Sequence, residues 1–234
     1  TQGATLFVDL ERKETRRKYL PAEVLTHFLG GRGANMWLLY NLLQEEKDAL
    51  DPEVPLIFGS GVLTSVMPSA TRGNFTSKSP ESYAILDANG GDYFPSFLKR
   101  HGYDHLVLYG KAAQWTLLRI ANADVSFHDA APYAGLDNLD TAAAVERDGQ
   151  RILASGDDRR GVVDRRENGV LCAGIMGGIK AIWARGGGGA KMGALNLKAI
   201  MVHGRPPEIA LPADAKAQNK AIGKKITGTS VIKN

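Results

Sequence analysis

The stretch that decides the fold is Trp183-Ala184-Arg185-Gly186-Gly187-Gly188-Gly189-Ala190-Lys191-Met192-Gly193, which continues as Ala194-Leu195-Asn196-Leu197-Lys198-Ala199-Ile200. Four consecutive glycines allow positive φ angles and leave the backbone amides open to a ligand. A glycine loop that leads into a short helix favours anions, because the free amides and the helix dipole point the same way. Arg185 adds a positively charged fork suited to phosphate. A tight turn or a linker is the alternative interpretation of such a glycine run.

The composition is that of an ordinary globular protein. With 234 residues, of which 44% are hydrophobic and 23% charged, the chain is long enough to bury a full core. The net charge of +4 is small, and the cations occur in short runs between acids, which does not predict a nucleic-acid partner. One cysteine, Cys172, excludes a disulfide or a multi-cysteine metal site within this chain. The five histidines lack metal-ligand spacing.

The chain carries no signal for a membrane or for secretion. No apolar run reaches the length of a membrane span, and the first residues lack the pattern of a secretory signal. We therefore expect a cytoplasmic protein without a membrane span.

The order of predicted elements occurs twice along the chain. A hairpin, a helix, a strand, a glycine loop, a short helix and an apolar strand occur once up to Gly110 and again from about Trp115 to Gly204. The two copies match best at Gly90-Gly91 and Gly186-Gly187, each followed by an apolar strand. This echo predicts an α+β fold, a β-rich domain of two pseudo-twofold-related repeats whose glycine loops converge on one site.

Several element boundaries follow from local composition. Tyr83–Leu86 is predicted as a strand that ends at the polar and glycine-rich stretch Asp87–Gly91. Further strands are predicted at Ile152–Ala154 and Val170–Met176, the latter with Cys172 as a buried thiol. A last helix is predicted over Ala213–Ile226.

Six segments between about residue 4 and residue 204 carry a family resemblance. The segments are Phe28–Gly33, Leu56–Thr64, Thr76–Pro80, Asp87–Phe94, Gly102–Ala112 and Arg185–Ile200. In their order and spacing they resemble the N-terminal domain of the aldehyde:ferredoxin oxidoreductase family, whose members are tungsten- or molybdenum-pterin enzymes.

The resemblance implies a cofactor base. In the family this domain is a two-fold, β-rich platform for a tungsten or molybdenum bis-pyranopterin, and the pterin dithiolenes hold the metal. Arg72 matches the family arginine between the pterin and an iron–sulfur cluster, and Asn89 and Gly91 match pterin-contacting positions. The residues implied in cofactor contact are Arg72, Asn89, Gly90, Gly91, Arg185, Gly186, Gly187, Gly188 and Gly189. The alternatives are a surface salt bridge for Arg72 and a turn position for Asn89.

Two features depart from the family. Gly177–Ala184 stands where the family has a basic, small-residue sequence, and Trp183 replaces an alanine there. Family members also continue for several hundred residues, in domains that supply four cysteines for a [4Fe–4S] cluster. No catalytic residue and no metal ligand is therefore predicted in this chain. Residues 1–205 are predicted as the pterin-binding domain, and residues 206–234 as a linker or the start of a further, missing domain.

The resemblance implies the cofactor-binding domain or subunit of an enzyme that oxidises aldehydes to carboxylic acids and passes the electrons to ferredoxin. It also implies an oligomer in which remaining domains or an iron–sulfur subunit complete the site. Three alternatives stay open: a non-catalytic assembly subunit without cofactor, an aromatic acyl-CoA reductase of the same family, and a nucleotide or phosphate site. The last would lack the Gly-Lys-Ser/Thr sequence of a P-loop.

Overall fold

The structure of the chain is a computed structural model. It describes residues 3–91, 93–121, 124–137, 140–141, 143–145, 147, 161–165, 175–177, 181–183, 185–203 and 209–229. Cys172, the strand predicted at Ile152–Ala154 and most of the strand predicted at Val170–Met176 lie outside the described residues.

The first half of the chain forms a six-stranded mixed sheet with three helices. Its elements are β1 (Ala4–Asp9), β2 (Glu14–Tyr19), α1 (Ala22–Phe28), α2 (Gly31–Leu42), β3 (Leu56–Ser60), β4 (Gly73–Lys78), β5 (Ile85–Gly90), α3 (Tyr93–Arg100) and β6 (His105–Tyr109). The strand order is β2-β1-β6-β3-β4-β5. Strand β1 is parallel to β6, and every other neighbouring pair is antiparallel.

The second half forms another six-stranded sheet. Its elements are β7 (Thr116–Ala121), β8 (Asp124–Asp129), a 3-10 helix (Ala131–Tyr133), β9 (Gly161–Arg165), β10 (Ile175–Gly177), β11 (Ala181–Trp183), α4 (Gly188–Ala194) and β12 (Leu197–His203). A last helix, α5, spans Ala213–Thr227, as the sequence predicts.

The two sheets share one strand order. From its hairpin edge the second sheet has the order β8-β7-β12-β9-β10-β11, which repeats the first sheet position by position. The pattern of directions also repeats, because β7 is parallel to β12 and the other pairs are antiparallel. The chain is thus a mixed α/β domain in which the topology occurs twice, and the pseudo-twofold relation between the halves stays a prediction.

One hydrophobic core joins the two halves. Its largest cluster includes Leu6 and Phe58 from the first sheet together with Leu118 and Ile200 from the second. A smaller cluster lies on the other face of the first sheet, beneath α1 and α2. The sheets therefore stabilise each other by burying apolar faces that neither could hide alone.

Two boundaries differ from the prediction. Strand β5 does not end at Asp87 but continues to Gly90, because its residues pair in register with β4. Helix α4 begins at Gly188, so two of the four consecutive glycines are helical and not part of a loop. At β5, pairing with β4 overrides the local preference of asparagine and glycine for turns.

No helix among the described segments is both long enough and apolar enough to cross a membrane.

Candidate functional site

The predicted cofactor residues cluster around β5, which is the edge strand of the first sheet. Asn89 is exposed, whereas Gly90 next to it is buried, because successive residues of a strand face opposite sides. Gly91 follows the strand, and a Cβ atom there would lie 3.6 Å from the hydroxyl oxygen of Thr71. The strand thus presents Asn89 outward and Gly90 toward the core.

Arg72 lies at the same end of this edge. It immediately precedes β4, whose first residue, Gly73, pairs with Gly90. The Arg72 side chain is exposed and makes no hydrogen bond or ion pair with the described residues, while its carbonyl accepts a 3.2 Å bond from the Thr64 hydroxyl. The anchored backbone and unpaired guanidinium leave Arg72 available to an anion.

The segment from Trp183 to Gly186 runs along β5. The Trp183 ring contacts the position of a Cβ on Gly90, and a Cβ on Gly186 would lie 2.9 Å from the side chain of Leu86. Trp183 and Gly186 thus contact β5 at two different points, Gly90 and Leu86, and the convergence of the two glycine loops on one site stays a prediction. Arg185 lies between these two contacts, is exposed, and has no ion pair within the described part of the chain.

The glycine run itself is only partly accessible. Gly186 and Gly187 have φ angles of +67° and +79°, which residues other than glycine rarely adopt. Gly187, Gly188 and Gly189 are buried, so the exposed part of the predicted loop is reduced to Arg185 and the half-buried Gly186. The assignment of the run to a cofactor stays a prediction.

Trp183 belongs to the core. It is 1% exposed, and its ring makes edge contacts with Phe58 and Phe94 at centroid distances of 6.1 Å and 6.0 Å. A Cβ on Gly90 would lie 2.3 Å from the indole, so the ring rests directly on the backbone of β5. The Trp183 side chain, which replaces the smaller alanine of the family, is thus accommodated between the two sheets.

Lys191, on α4, is a buried cation that the sequence did not single out. Its ammonium group donates a 2.5 Å hydrogen bond to the Asp51 carbonyl. Burial lowers the pKa of Lys191 to about 8, although Asp51 and Asp48 oppose this shift. Its charge therefore holds α4 against the loop before β3 and does not face the exposed edge of β5.

A buried polar network, also missed by the sequence, lies on the outer face of the first sheet. The Asn35 amide group donates to the Asn74 side-chain oxygen at 2.9 Å, and the Asn35 oxygen lies 2.8 Å from Nδ1 of His105. From Asn74 the network continues to Asp87 and Asn89 on β5. It connects residues up to 70 positions apart, so no local pattern could reveal it.

The tautomer of His105 follows from its partner. The Asn35 amide nitrogen lies 3.2 Å from the backbone carbonyl oxygen of Asn74, which can only accept a hydrogen bond. The side-chain atom of Asn35 that faces His105 is therefore the oxygen. Nδ1 of His105 must therefore be the donor. Its Nε2 atom is buried without a hydrogen-bond partner among the described residues.

We expect His105 to lower the stability of the protein in acid. Burial lowers the pKa of His105 from 6.5 to about 4; Asp104 nearby opposes this shift and Lys99 adds to it. The unfolded chain takes up this proton near pH 6.5 and the folded chain only near pH 4. The free energy of unfolding therefore falls as the pH decreases through this window. The full shift corresponds to about 3 kcal/mol. Urea unfolding at pH 7 and pH 4.5 would measure most of it, because pH 4.5 lies just above the pKa of the folded state.

The control for this prediction is His105→Gln, which removes the titration. The pKa of His128 is also lowered by partial burial and by Arg119, but both proteins keep that contribution. The difference between their pH profiles therefore isolates His105. Parallel profiles between pH 7 and pH 4.5 would contradict the prediction.

No group of three or more metal-ligating side chains occurs among the described residues. His101, His105 and His203 are buried, and His27 is exposed. The polar side chains on β5 itself are Asp87, which pairs with Arg32 at 3.1 Å, and the exposed Asn89.

Known proteins are similar to this chain in sequence and in fold. The family model described as the aldehyde ferredoxin oxidoreductase N-terminal domain matches residues 5–204 of the sequence. The chain belongs to this family. The tungsten-containing aldehyde ferredoxin oxidoreductase of Pyrococcus furiosus is 33% identical over 205 residues, which are 86% of this chain and 33% of that protein. The aliphatic sulfonate oxidoreductase WOR-like subunit of the same organism is 31% identical over 217 residues, covering 88% of this chain and 35% of the relative.

A solved structure of a family relative has the same fold. The active-site complex BamBC of benzoyl coenzyme A reductase, bound to 1,5 dienoyl-CoA, superposes with a TM-score of 0.80 and 29% identity. The match covers 87% of this chain and 31% of that one. This member of the aldehyde ferredoxin oxidoreductase family thus spans about one third of the length of the relatives it matches.

Proposed function

We propose that this chain is the cofactor-binding base of a tungsten- or molybdenum-bispterin oxidoreductase. The observation that carries the proposal is the position of Arg72 and Arg185. Both are exposed arginines without an ion pair among the described residues. Arg72 precedes the β4 residue that pairs with Gly90, and Arg185 lies between two residues that contact β5.

The exposed groups at β5 fit a phosphate-bearing pterin. A guanidinium group binds phosphate through two parallel hydrogen bonds, and Arg72 and Arg185 supply two such groups. Asn89 adds a side-chain amide, which suits the donor and acceptor edge of a pterin ring.

In this proposal the two arginines hold the phosphates, and Asn89 with Gly91 orients the ring system. The bound metal–pterin group would supply the two-electron chemistry. The core beneath β5, including Trp183, keeps water away from the buried side of the site.

The proposed reaction is oxidation of an aldehyde to a carboxylic acid, with electrons leaving to ferredoxin. It is supported by the similarity to the Pyrococcus furiosus enzyme. An iron–sulfur cluster and the substrate-facing groups would come from further domains or from a partner subunit. Residues 1–205 would form the base, and 206–234 would lead toward those domains. The BamBC relative makes reduction of an aromatic acyl-CoA the alternative reaction.

Trp183 favours a second candidate function. Trp183 stands where the family has an alanine, and its indole packs on the inner side of Gly90. The packing directly behind the proposed cofactor edge therefore differs from that of the family. A subunit that has lost its cofactor and serves assembly would tolerate such a change. The relative named as a WOR-like subunit belongs by its name to an enzyme of several chains.

Elemental analysis of the protein purified from its native source, without refolding, tests the proposal. Tungsten or molybdenum near one atom per chain, together with iron, is the expected result. Iron without either metal would support the assembly subunit. Absence of all three would leave the β5 edge as a phosphate site or a structural edge, and the proposed enzymatic role would fall.

We expect Arg72→Ala to reduce the tungsten or molybdenum and pterin content of the purified protein at least about tenfold. A charge-assisted hydrogen bond contributes about 1.5–3 kcal/mol, and 1.4 kcal/mol already changes an equilibrium tenfold. The matched control is Arg16→Ala on β2, which removes an exposed arginine paired with Glu14 at 3.2 Å. Unchanged content in Arg72→Ala would exclude this residue from the site, and equal losses in both variants would indicate a general effect of charge.

A further inference from the structure

Asn89 has a buried neighbour that controls its side chain. Asn74 pairs with Asn89 across β4 and β5 and is 3% exposed. The Asn74 amide nitrogen donates to an Asp87 carboxylate oxygen at 2.6 Å, to the Ala88 carbonyl at 3.3 Å and to the Asn89 side-chain oxygen at 3.3 Å. The three acceptors all belong to β5.

The partners of Asn74 fix its orientation. A carboxylate and a backbone carbonyl can only accept, so the nitrogen of Asn74 must face Asp87 and Ala88. Its oxygen then faces the opposite way, where it accepts from the Thr76 hydroxyl at 2.7 Å and from Asn35 at 2.9 Å. With both ends satisfied, the Asn74 side chain has one permitted orientation.

The orientation of the Asn74 side chain also fixes that of the Asn89 side chain. Two amide nitrogens cannot face each other, so Asn89 turns its oxygen inward, toward Asn74. Its own nitrogen makes no hydrogen bond with the described residues, and the residue is exposed. Asn89 therefore offers hydrogen-bond donors, and not its acceptor, to whatever lies on β5.

The base of the network is equally constrained. Asn35 receives a hydrogen bond from His105 and donates to Asn74. A Cβ on Gly59 would lie 2.2 Å from the Asn35 oxygen and 2.5 Å from Nδ1 of His105, so only glycine leaves room for this contact. The network is thus anchored in the sheet and ends at the exposed Asn89.

We propose that Asn74 is a positioning residue that presents the Asn89 amide as a donor to an acceptor oxygen or nitrogen of the bound pterin. The proposal rests on the proposed function, because it assumes that a pterin lies on this edge. It adds the direction of the hydrogen bond and the residue that sets this direction, and Asn35 and His105 anchor that residue from below.

The test measures cofactor retention and not activity. The holoprotein is diluted into cofactor-free buffer, and pterin that remains bound is quantified by fluorescence after denaturation and oxidation. We expect Asn89→Ala and Asn89→Asp to release the pterin up to about tenfold faster, the size expected for one lost hydrogen bond. Asn74→Ala is expected to accelerate release several-fold. The matched control Asn41→Ala removes an exposed asparagine of α2 and is expected to release pterin at the wild-type rate.

The double variant separates positioning from a structural role. If Asn74 acts through Asn89, then adding Asn74→Ala to Asn89→Ala produces no further acceleration. An additive acceleration would overturn the proposal, because Asn74 would then support the site in another way. If Asn74→Ala does not fold, Asn89→Asp tests the proposal by itself. Pterin retention at the wild-type level in Asn89→Asp would mean that an oxygen of this side chain can face the ligand, which overturns the proposed direction of the hydrogen bond.

The two proposals fail differently. Wild-type protein without any pterin would contradict the proposed function. Wild-type protein that carries pterin, with release unchanged in Asn89→Ala, would leave the function standing and refute the role of Asn74 and Asn89.

Discussion

Replacing Trp183 with alanine is expected to lower the free energy of unfolding by about 3–5 kcal/mol, the range found when a large aromatic core residue is truncated. The ring is 1% exposed and packs against Phe58 and Phe94. Those two rings also contact each other at 5.4 Å, so the loss of the indole leaves a cavity inside an aromatic cluster. Urea unfolding at pH 7 measures the change.

The control is Trp37→Ala, which truncates a half-buried tryptophan of α2. Its effect is expected to be smaller, because part of that ring is already in contact with water. A Trp183→Ala variant that loses less stability than Trp37→Ala would contradict the placement of Trp183 in the core.

Gly90 provides an independent check on the same contact. In the wild type, Gly90→Ala would force a methyl group to within 2.3 Å of the indole. In the Trp183→Ala background this overlap disappears, so the two substitutions should be strongly non-additive. Additive effects would mean that the indole does not rest on β5.

The Trp183→Ala variant does not distinguish the two candidate functions. Because Trp183 faces the core and Asn89 faces outward, the indole does not compete with a ligand on the exposed side of β5. A cofactor-binding chain and an assembly subunit would therefore both need Trp183 for stability. Only the measured pterin and metal content distinguishes them.

The sequence predicted most of the architecture because the signals were local or repeated. The apolar strands β6 and β12 and the glycine pairs that precede them depend on composition within a few residues. The repetition of these signals predicted that the order of elements occurs twice, and the structure adds that the two sheets share one strand order.

The site was harder to predict because the contacts that orient its side chains join residues that are far apart in the sequence. Asn74 and Asn35 are 39 positions apart, and their role appears only when α2 covers β4. Nothing near Gly90 in the sequence indicates that an indole 93 positions later packs on it. Such contacts are set by the packing of the two halves, which composition and periodicity do not encode.

Replacing Lys99 with methionine is expected to lower the free energy of unfolding by about 3–5 kcal/mol, because it leaves a buried carboxylate without its partner charge. The Lys99 ammonium lies 3.0 Å from an oxygen of Asp104, and the two side chains are only 5% and 7% exposed. The same ammonium donates to the Gly61 carbonyl at 2.7 Å. The second Asp104 oxygen accepts from the Gly3 amide at 3.0 Å.

This ion pair joins four parts of the first half at one end of the sheet. Lys99 lies on α3, Gly61 follows β3, Gly3 precedes β1, and Asp104 precedes β6. Lys111→Met, which removes an exposed lysine, is the control and should change stability by less than about 0.5 kcal/mol. The double variant Lys99→Met with Asp104→Asn should recover part of the loss, since an amide oxygen can still accept from Gly3 and no net charge remains buried. A loss below about 1 kcal/mol in Lys99→Met, the size of an exposed ion pair, would mean that water reaches Asp104.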